Sequence, residues 1–157
     1  MSKITISNNR YWVQVNKYYS YPILHGDVLI SIRHLYAAKI YKGTKRYELR
    51  HCSPSFDHNT TMWIYEPLPV GKITGYVEYD FCIKGDPSLI WNLLRSLLGV
   101  KKQKFDDYFR GRRFAYAWHL GQVSKLDEPI SLAEIGLTRP TQSYQFLNLS
   151  PSNPTNK

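Results

Sequence analysis

Residues 27–33, DVLISIR, alternate with period two: Val28, Ile30 and Ile32 share one face, and Leu29, Ser31 and Arg33 the other, which predicts a barrel strand. The period then changes. Tyr36, Ala37, Ile40 and Tyr41 make an apolar stripe at helical spacing over 34–42, and Gly43 stands where a left-handed residue ends such a helix. GTKRYELR follows. Period two over 44–50 puts Thr44, Arg46, Glu48 and Arg50 on one face and Lys45, Tyr47 and Leu49 on the other. Aromatic and β-branched runs punctuated by Pro and Gly predict further strands over 60–66, 70–83, 112–126 and 142–149.

Two helices are expected in the second half. DPSLIWNLLRSLLG carries the strongest signals: Asp86 as N-cap, Pro87 in the first turn, apolar Leu89, Ile90, Leu93, Leu94, Leu97 and Leu98, then Gly99. KFDDYFRG places Phe105, Tyr108 and Phe109 on one face, with Gly111 as the stop. About six mixed strands among few helices make the fold class α+β. Residues 1–26 hold no steady period, YWVQV being the one strand candidate, and read as an N-terminal extension. The domain proper spans 27–149, and SPSNPTNK, 150–157, has the composition of a disordered tail.

A chain of 157 residues suits one domain with a real core. Its charge narrows the partners. Twenty-one Lys and Arg against twelve Asp and Glu leave +9, a surface that attracts polyanions and nucleic acid above all, unless the basic balance serves solubility alone. The longest apolar run is too short for a bilayer and MSKITISNNR lacks the core of a signal peptide, so a cytoplasmic chain without a membrane partner is expected. Cys52 and Cys82 have no paired spacing. His51, Cys52 and His58 come close in HCSPSFDH, but a fourth ligand and a recognised spacing are missing, so they read as loop residues and no metal or other cofactor is expected.

Gly43, Lys45, Glu48 and Arg50 fit a G-x-K-x-x-E-x-R pattern. With LISIR, the helix after it, IYEPLPVGKITGYVE, FDDYFRGRRFAYAWHL, PISLAEIGL and PTQSYQFL in the same order, residues 27–147 resemble the ASCH family of the PUA-like β-barrel superfamily. His34 and Thr141 stand where that family commonly has Pro. The resemblance implies a PUA-like barrel of about six strands with flanking helices, and a cleft in which the motif charges meet RNA or a modified nucleotide. Residue chemistry agrees, since Arg offers a planar fork for phosphate or a base edge and Lys a compact charge. The alternative is that Arg46, Glu48 and Arg50 form an exposed charge ladder of little consequence.

The binding set expected in the cleft is Arg33, Lys45, Arg46, Glu48 and Arg50. Arg112 and Arg113, beside Tyr108, Phe109 and Phe114, interleave charge with rings as single-stranded nucleic acid requires. Tyr65 and Trp118 are candidates to line a base-sized pocket, although Trp in a small barrel is commonly core. A hydrolase is the other reading, a ribonuclease or an amidohydrolase acting on acylated cytidine, with Lys45 and Glu48 as its catalytic pair. Family amidohydrolases use a Lys and a Thr in this motif plus a separate Glu. Here Lys45 holds the Lys position, but Glu48 replaces the Thr and the separate Glu has no match.

Overall fold

In the computed structural model, which describes residues 3–7, 10–16, 19–24 and 26–147, the chain enters its main sheet at β4 (Val28–Ser31). Val28, Leu29 and Ile30 are all buried although they point alternately to opposite faces, because this strand has core on both sides. α1 (His34–Lys42) follows and ends at Gly43, whose φ of 85° lets its N–H reach back to the helix carbonyls of Ile40 and Lys39. Then come β5 (Tyr47–Arg50), β6 (Thr61–Glu66), β7 (Lys72–Gly85), α2 (Pro87–Leu94) with a 3-10 turn over Arg95–Leu97, α3 (Lys102–Phe109), β8 (Ala115–Ile130) and β9 (Tyr144–Phe146).

These six strands lie in the order β5-β8-β7-β6-β4-β9, antiparallel except for the β4–β6 pair. The sheet curls into a half-barrel. Trp118 of β8 and Tyr144 of β9, separated in the sheet by β7, β6 and β4, bring their ring centroids to 5.6 Å. Inside the curl Ile30, Ile64, Val77, Trp118 and Leu120 pack with Ala37 and Ile40 of α1. Outside, α2 and α3 cover β5 and β8 through Ile90, Leu94, Leu98, Phe105 and Phe109, and the small Ala115 and Ala117 let them approach closely. The fold is thus the PUA-like half-barrel with three flanking helices.

Residues near the N-terminus depart from the sequence reading. β1 (Lys3–Ser7), β2 (Arg10–Asn16) and β3 (Tyr19–Leu24) form an antiparallel sheet of their own, where one strand was expected. Main-chain pairing from Lys3↔Gln14 to Asn16↔Tyr19 needs no hydrophobic period, and Pro22 argued against a strand in β3. The tail over 150–157 lies outside the described residues.

Three further boundaries moved. β5 begins at Tyr47, not residue 44, because the left-handed turn at Gly43 leaves Thr44 and Lys45 bonded back to the Lys39 carbonyl. β8 runs on to Ile130, and β9 shrinks to three residues. The long apolar helix is also split. Asp86 caps it through the Ser88 N–H at 2.8 Å, but only Ile90, Leu94 and Leu98 are buried, while Leu89, Leu93 and Leu97 face out. Ile90→Ala should therefore cost about 2–5 kcal/mol in urea denaturation, whereas Leu93→Ala, at a site 62% exposed, should stay within about 0.5 kcal/mol.

Candidate nucleotide-binding cleft

β5 is one edge of the sheet, and the β4/β9 edge curls round toward it without pairing. The gap between them, roofed by α1 and α3, is a cleft of about 520 Å³ lined by residues that include Ser31, Arg33, Tyr36, Lys45, Glu48, Arg50, Lys104, Tyr108 and Gln142. Its floor is a charge triplet. The Glu48 carboxylate lies 3.1 Å from the Arg50 guanidinium and 3.6 Å from the Lys45 ammonium. Arg50 continues across the gap, donating to the Ser143 hydroxyl at 3.0 Å and the Ser31 carbonyl at 3.3 Å. Its Nε is buried with no hydrogen-bond partner among the described residues, and its guanidinium carbon sits 5.8 Å from the Trp118 ring centroid.

Lys45 is the unusual member. It is only 2% exposed, and its Nζ donates to the Leu98 carbonyl at 2.8 Å, 5.4 Å from the Tyr36 ring centroid. Burial pulls its pKa down; Glu48 opposes by charge and hydrogen bonding, while Arg50 and Lys39 push the same way as burial. The turn after α2 presses on it as well. Gly99, at φ +65°, passes so close that a Cβ there would meet the Lys45 Cβ at 2.8 Å. Opposite, burial pushes the Tyr108 phenol up, so it stays a hydrogen-bond donor through neutral pH, and its ring stacks on His51 at 4.1 Å.

Of the expected residues, Arg33, Lys45, Glu48 and Arg50 meet in the cleft. Arg46 does not: it is exposed, its main chain bonding to Leu97 and Leu120. Tyr65 is buried in the cluster with Leu29, Trp63 and Ile73 on the other side of the sheet. Trp118 is fully buried, its indole N–H donating to the Cys52 carbonyl, so it supports Arg50 from beneath and is not among the residues that line this cleft. Arg112 and Arg113 are exposed beyond the end of α3, outside the cleft.

The sequence reading missed Ser31, Tyr36, Lys104, Ser143 and Gln142 as cleft residues. Tyr36 carried a signal, standing on a helical stripe next to the motif, and Lys104 and Tyr108 stood in a basic and aromatic run. Ser31 and Ser143 carried none. The two positions unlike the family pattern have structural work: His34 Nδ1 lies 2.6 Å from the Glu66 carboxylate, and the Thr141 carbonyl accepts from the Ser31 hydroxyl at 2.6 Å. The HCSPSFDH residues disperse, His51 onto Tyr108 and His58 onto Asp80.

A depressed folded-state lysine pKa has a definite sign. Between that value and the ordinary ~10.4 the unfolded chain binds more protons than the folded one, so this group makes stability rise with pH. Urea midpoints of the wild type should therefore climb more steeply than those of Lys45→Met as pH rises toward the ordinary lysine value; parallel profiles would show that Lys45 titrates normally.

No family model matches the chain. It is 27% identical over 125 residues, which cover 77% of this chain and 84% of the relative, to an ASCH domain-containing ribonuclease from Zymomonas mobilis. The crystal structure of ASCH from Zymomonas mobilis matches with a TM-score of 0.72 at 25% identity, over 78% of this chain and 87% of that one. Structures of a Tyr→Phe and a Ser→Ala variant of that protein each give a TM-score of 0.71 at 25% identity, over 77% and 78% of this chain and 89% and 88% of theirs. With the motif charges gathered in a cleft of the PUA-like half-barrel, and with these likenesses over more than three quarters of its length, the chain is similar to ASCH domain proteins in sequence and in fold.

Proposed function

We propose that this protein binds single-stranded RNA, seating a nucleotide in the cleft between β5 and the β4/β9 edge. The observation that carries the reading is Arg50, whose guanidinium fork spans the cleft from Glu48 to Ser143 and Ser31. A phosphate or a base-edge acceptor in the cleft would take hydrogen bonds from the N–H groups of that fork. Among the described residues Arg33 and Lys104 have no carboxylate in ion-pairing distance, so their charge is available to a backbone passing through. Tyr36 and Tyr108 offer rings to a base. The net charge of +9 adds long-range attraction.

A second reading rests on Lys45. A lysine whose pKa burial lowers can accept a proton at lower pH than a solvated one, and the relative from Zymomonas mobilis is named a ribonuclease. In RNA the 2′-hydroxyl would attack the adjacent phosphorus, its proton passing to Nζ, while the 5′-oxygen leaves with a proton from a donor such as the Tyr108 phenol. Glu48 would hold Lys45 and Arg50 in place, without taking the proton.

Titration of tryptophan fluorescence with 2′-fluoro oligouridine, which cannot be cleaved by this route, isolates binding. The wild type should saturate, with affinity falling as salt rises, and Arg50→Gln should bind about 10- to 100-fold more weakly. Unchanged affinity in Arg50→Gln, with folding verified by its urea midpoint, would sink the cleft assignment. Unmodified RNA then tests catalysis. Cleavage that rises with pH to a plateau and is lost in Lys45→Met supports the ribonuclease reading, and binding without products leaves a recognition protein.

A further inference from the structure

Outside the cleft, the half-barrel carries a second group of rings and charges that its neighbours do not neutralise. In the sheet register Arg50 of β5, Tyr116 of β8 and Lys84 of β7 stand in one row, and Glu48, Trp118 and Cys82 stand in the next. Residues directly opposite in antiparallel strands share a face. The row that ends the charge triplet therefore continues sideways, from Arg50 over Tyr116 to Lys84, on the concave side of the sheet. Phe114, two residues before Tyr116, extends it: the Lys84 ammonium lies 4.3 Å from the Phe114 ring centroid and 5.7 Å from that of Tyr116. The Arg113 guanidinium carbon lies 5.1 Å from the same Phe114 ring.

Three features mark this row as more than core. Tyr116 and Phe114 are only half-buried, whereas Trp118, next along the same strand face, is fully enclosed. Among the described residues no carboxylate comes within ion-pairing distance of Lys84 or Arg113, and their cations rest on rings instead. The row also starts at the residue that spans the cleft, so a strand leaving the cleft past Arg50 meets Tyr116 first.

We propose that Tyr116 and Phe114, with Lys84 and Arg113, form a second subsite that stacks the two nucleotides beyond the one held in the cleft, the nearer on Tyr116 and the farther on Phe114, which a dinucleotide does not reach. The inference rests on the cleft reading and extends it from one nucleotide to a strand of RNA. Tyr116 on β8 and Phe114 just before it are two residues apart, about 7 Å in extended chain, which spaces two unstacked bases without asking them to overlap. Lys84 and Arg113 leave their rings to meet phosphates, exchanging a weak cation–π contact for a charge-assisted hydrogen bond. The subsite reads ring faces and backbone, so it lengthens the bound strand without choosing its sequence.

Fluorescence anisotropy with 5′-fluorescein-labelled 2′-fluoro uridine dinucleotide and octanucleotide separates the two sites. The wild type should bind the octanucleotide at least tenfold more tightly than the dinucleotide. Phe114→Ala should weaken the octanucleotide about tenfold and leave the dinucleotide unchanged. Lys84→Gln, which leaves both rings in place, should lower the slope of log affinity against log salt by about 0.7 for the octanucleotide alone. An octanucleotide affinity indifferent to both variants, while Arg50→Gln still weakens dinucleotide binding, would overturn the second subsite and leave the cleft standing. Failure of the wild type to bind either oligonucleotide would overturn both.

Discussion

A carboxylate shared by two cations holds the centre of this protein together. Glu48 sits between Lys45 and Arg50, and all three are largely withdrawn from water. Taking one charge out of water alone costs several kcal/mol, so no member of the triplet can be placed without the others. Pairing within it is incomplete, because two positive charges face one negative one. The surplus is met by main-chain carbonyls, Leu98 for Lys45 and Ser31 for Arg50, which bring the α2 turn and the far edge of the sheet to the same point. The curl of the sheet and the position of the second helix thus meet at a single electrostatic requirement. What is left is one positive charge in surplus among residues that line the cleft, a potential that favours an anion there.

That requirement also accounts for what could be read in the chain beforehand. Strand β4, helix α1 with its Gly43 stop, and the capped start of α2 were legible because each is fixed by local chemistry: a period, a left-handed glycine, an aspartate before a proline. Arg33, Lys45, Glu48 and Arg50 were legible as a group through the motif. Their geometry was not. Period two over 44–50 sets Lys45 on the face opposite Glu48, yet the two meet in the cleft, since the chain is still leaving the helix at Lys45 and becomes a strand only at Tyr47. The same turn sends Arg46, placed by period beside Glu48, out to solvent.

Other residues escaped because their roles are set by distant contacts. Ser31 and Ser143 are 112 positions apart and acquire meaning only when Arg50 reaches both. Leu89, Leu93 and Leu97 match their buried neighbours in every local respect, and only the docking of α2 decides which leucines face the sheet. Tyr65 and Trp118 show the converse. Their types are common in base-binding pockets, but a curled sheet of this size needs large rings on both faces to fill it, and these two are spent on that task.

The half-barrel therefore divides its aromatic residues between two kinds of work along a single strand. On β8 one face carries Trp118, Tyr116 and, just before the strand, Phe114, at two-residue spacing. Trp118 lies under the loop that carries Cys52 and Phe56 and is sealed by it, with Phe56 meeting it edge to face at 5.5 Å. Tyr116 and Phe114 lie progressively beyond that cover and take cations as their neighbours in place of other rings. A gradient from enclosed ring to charge-bearing ring follows from where the loop stops, and it begins beside the guanidinium that spans the cleft. An anionic strand with flat bases is the chemistry that such a gradient matches, since each step outward offers one more ring face together with one more positive charge.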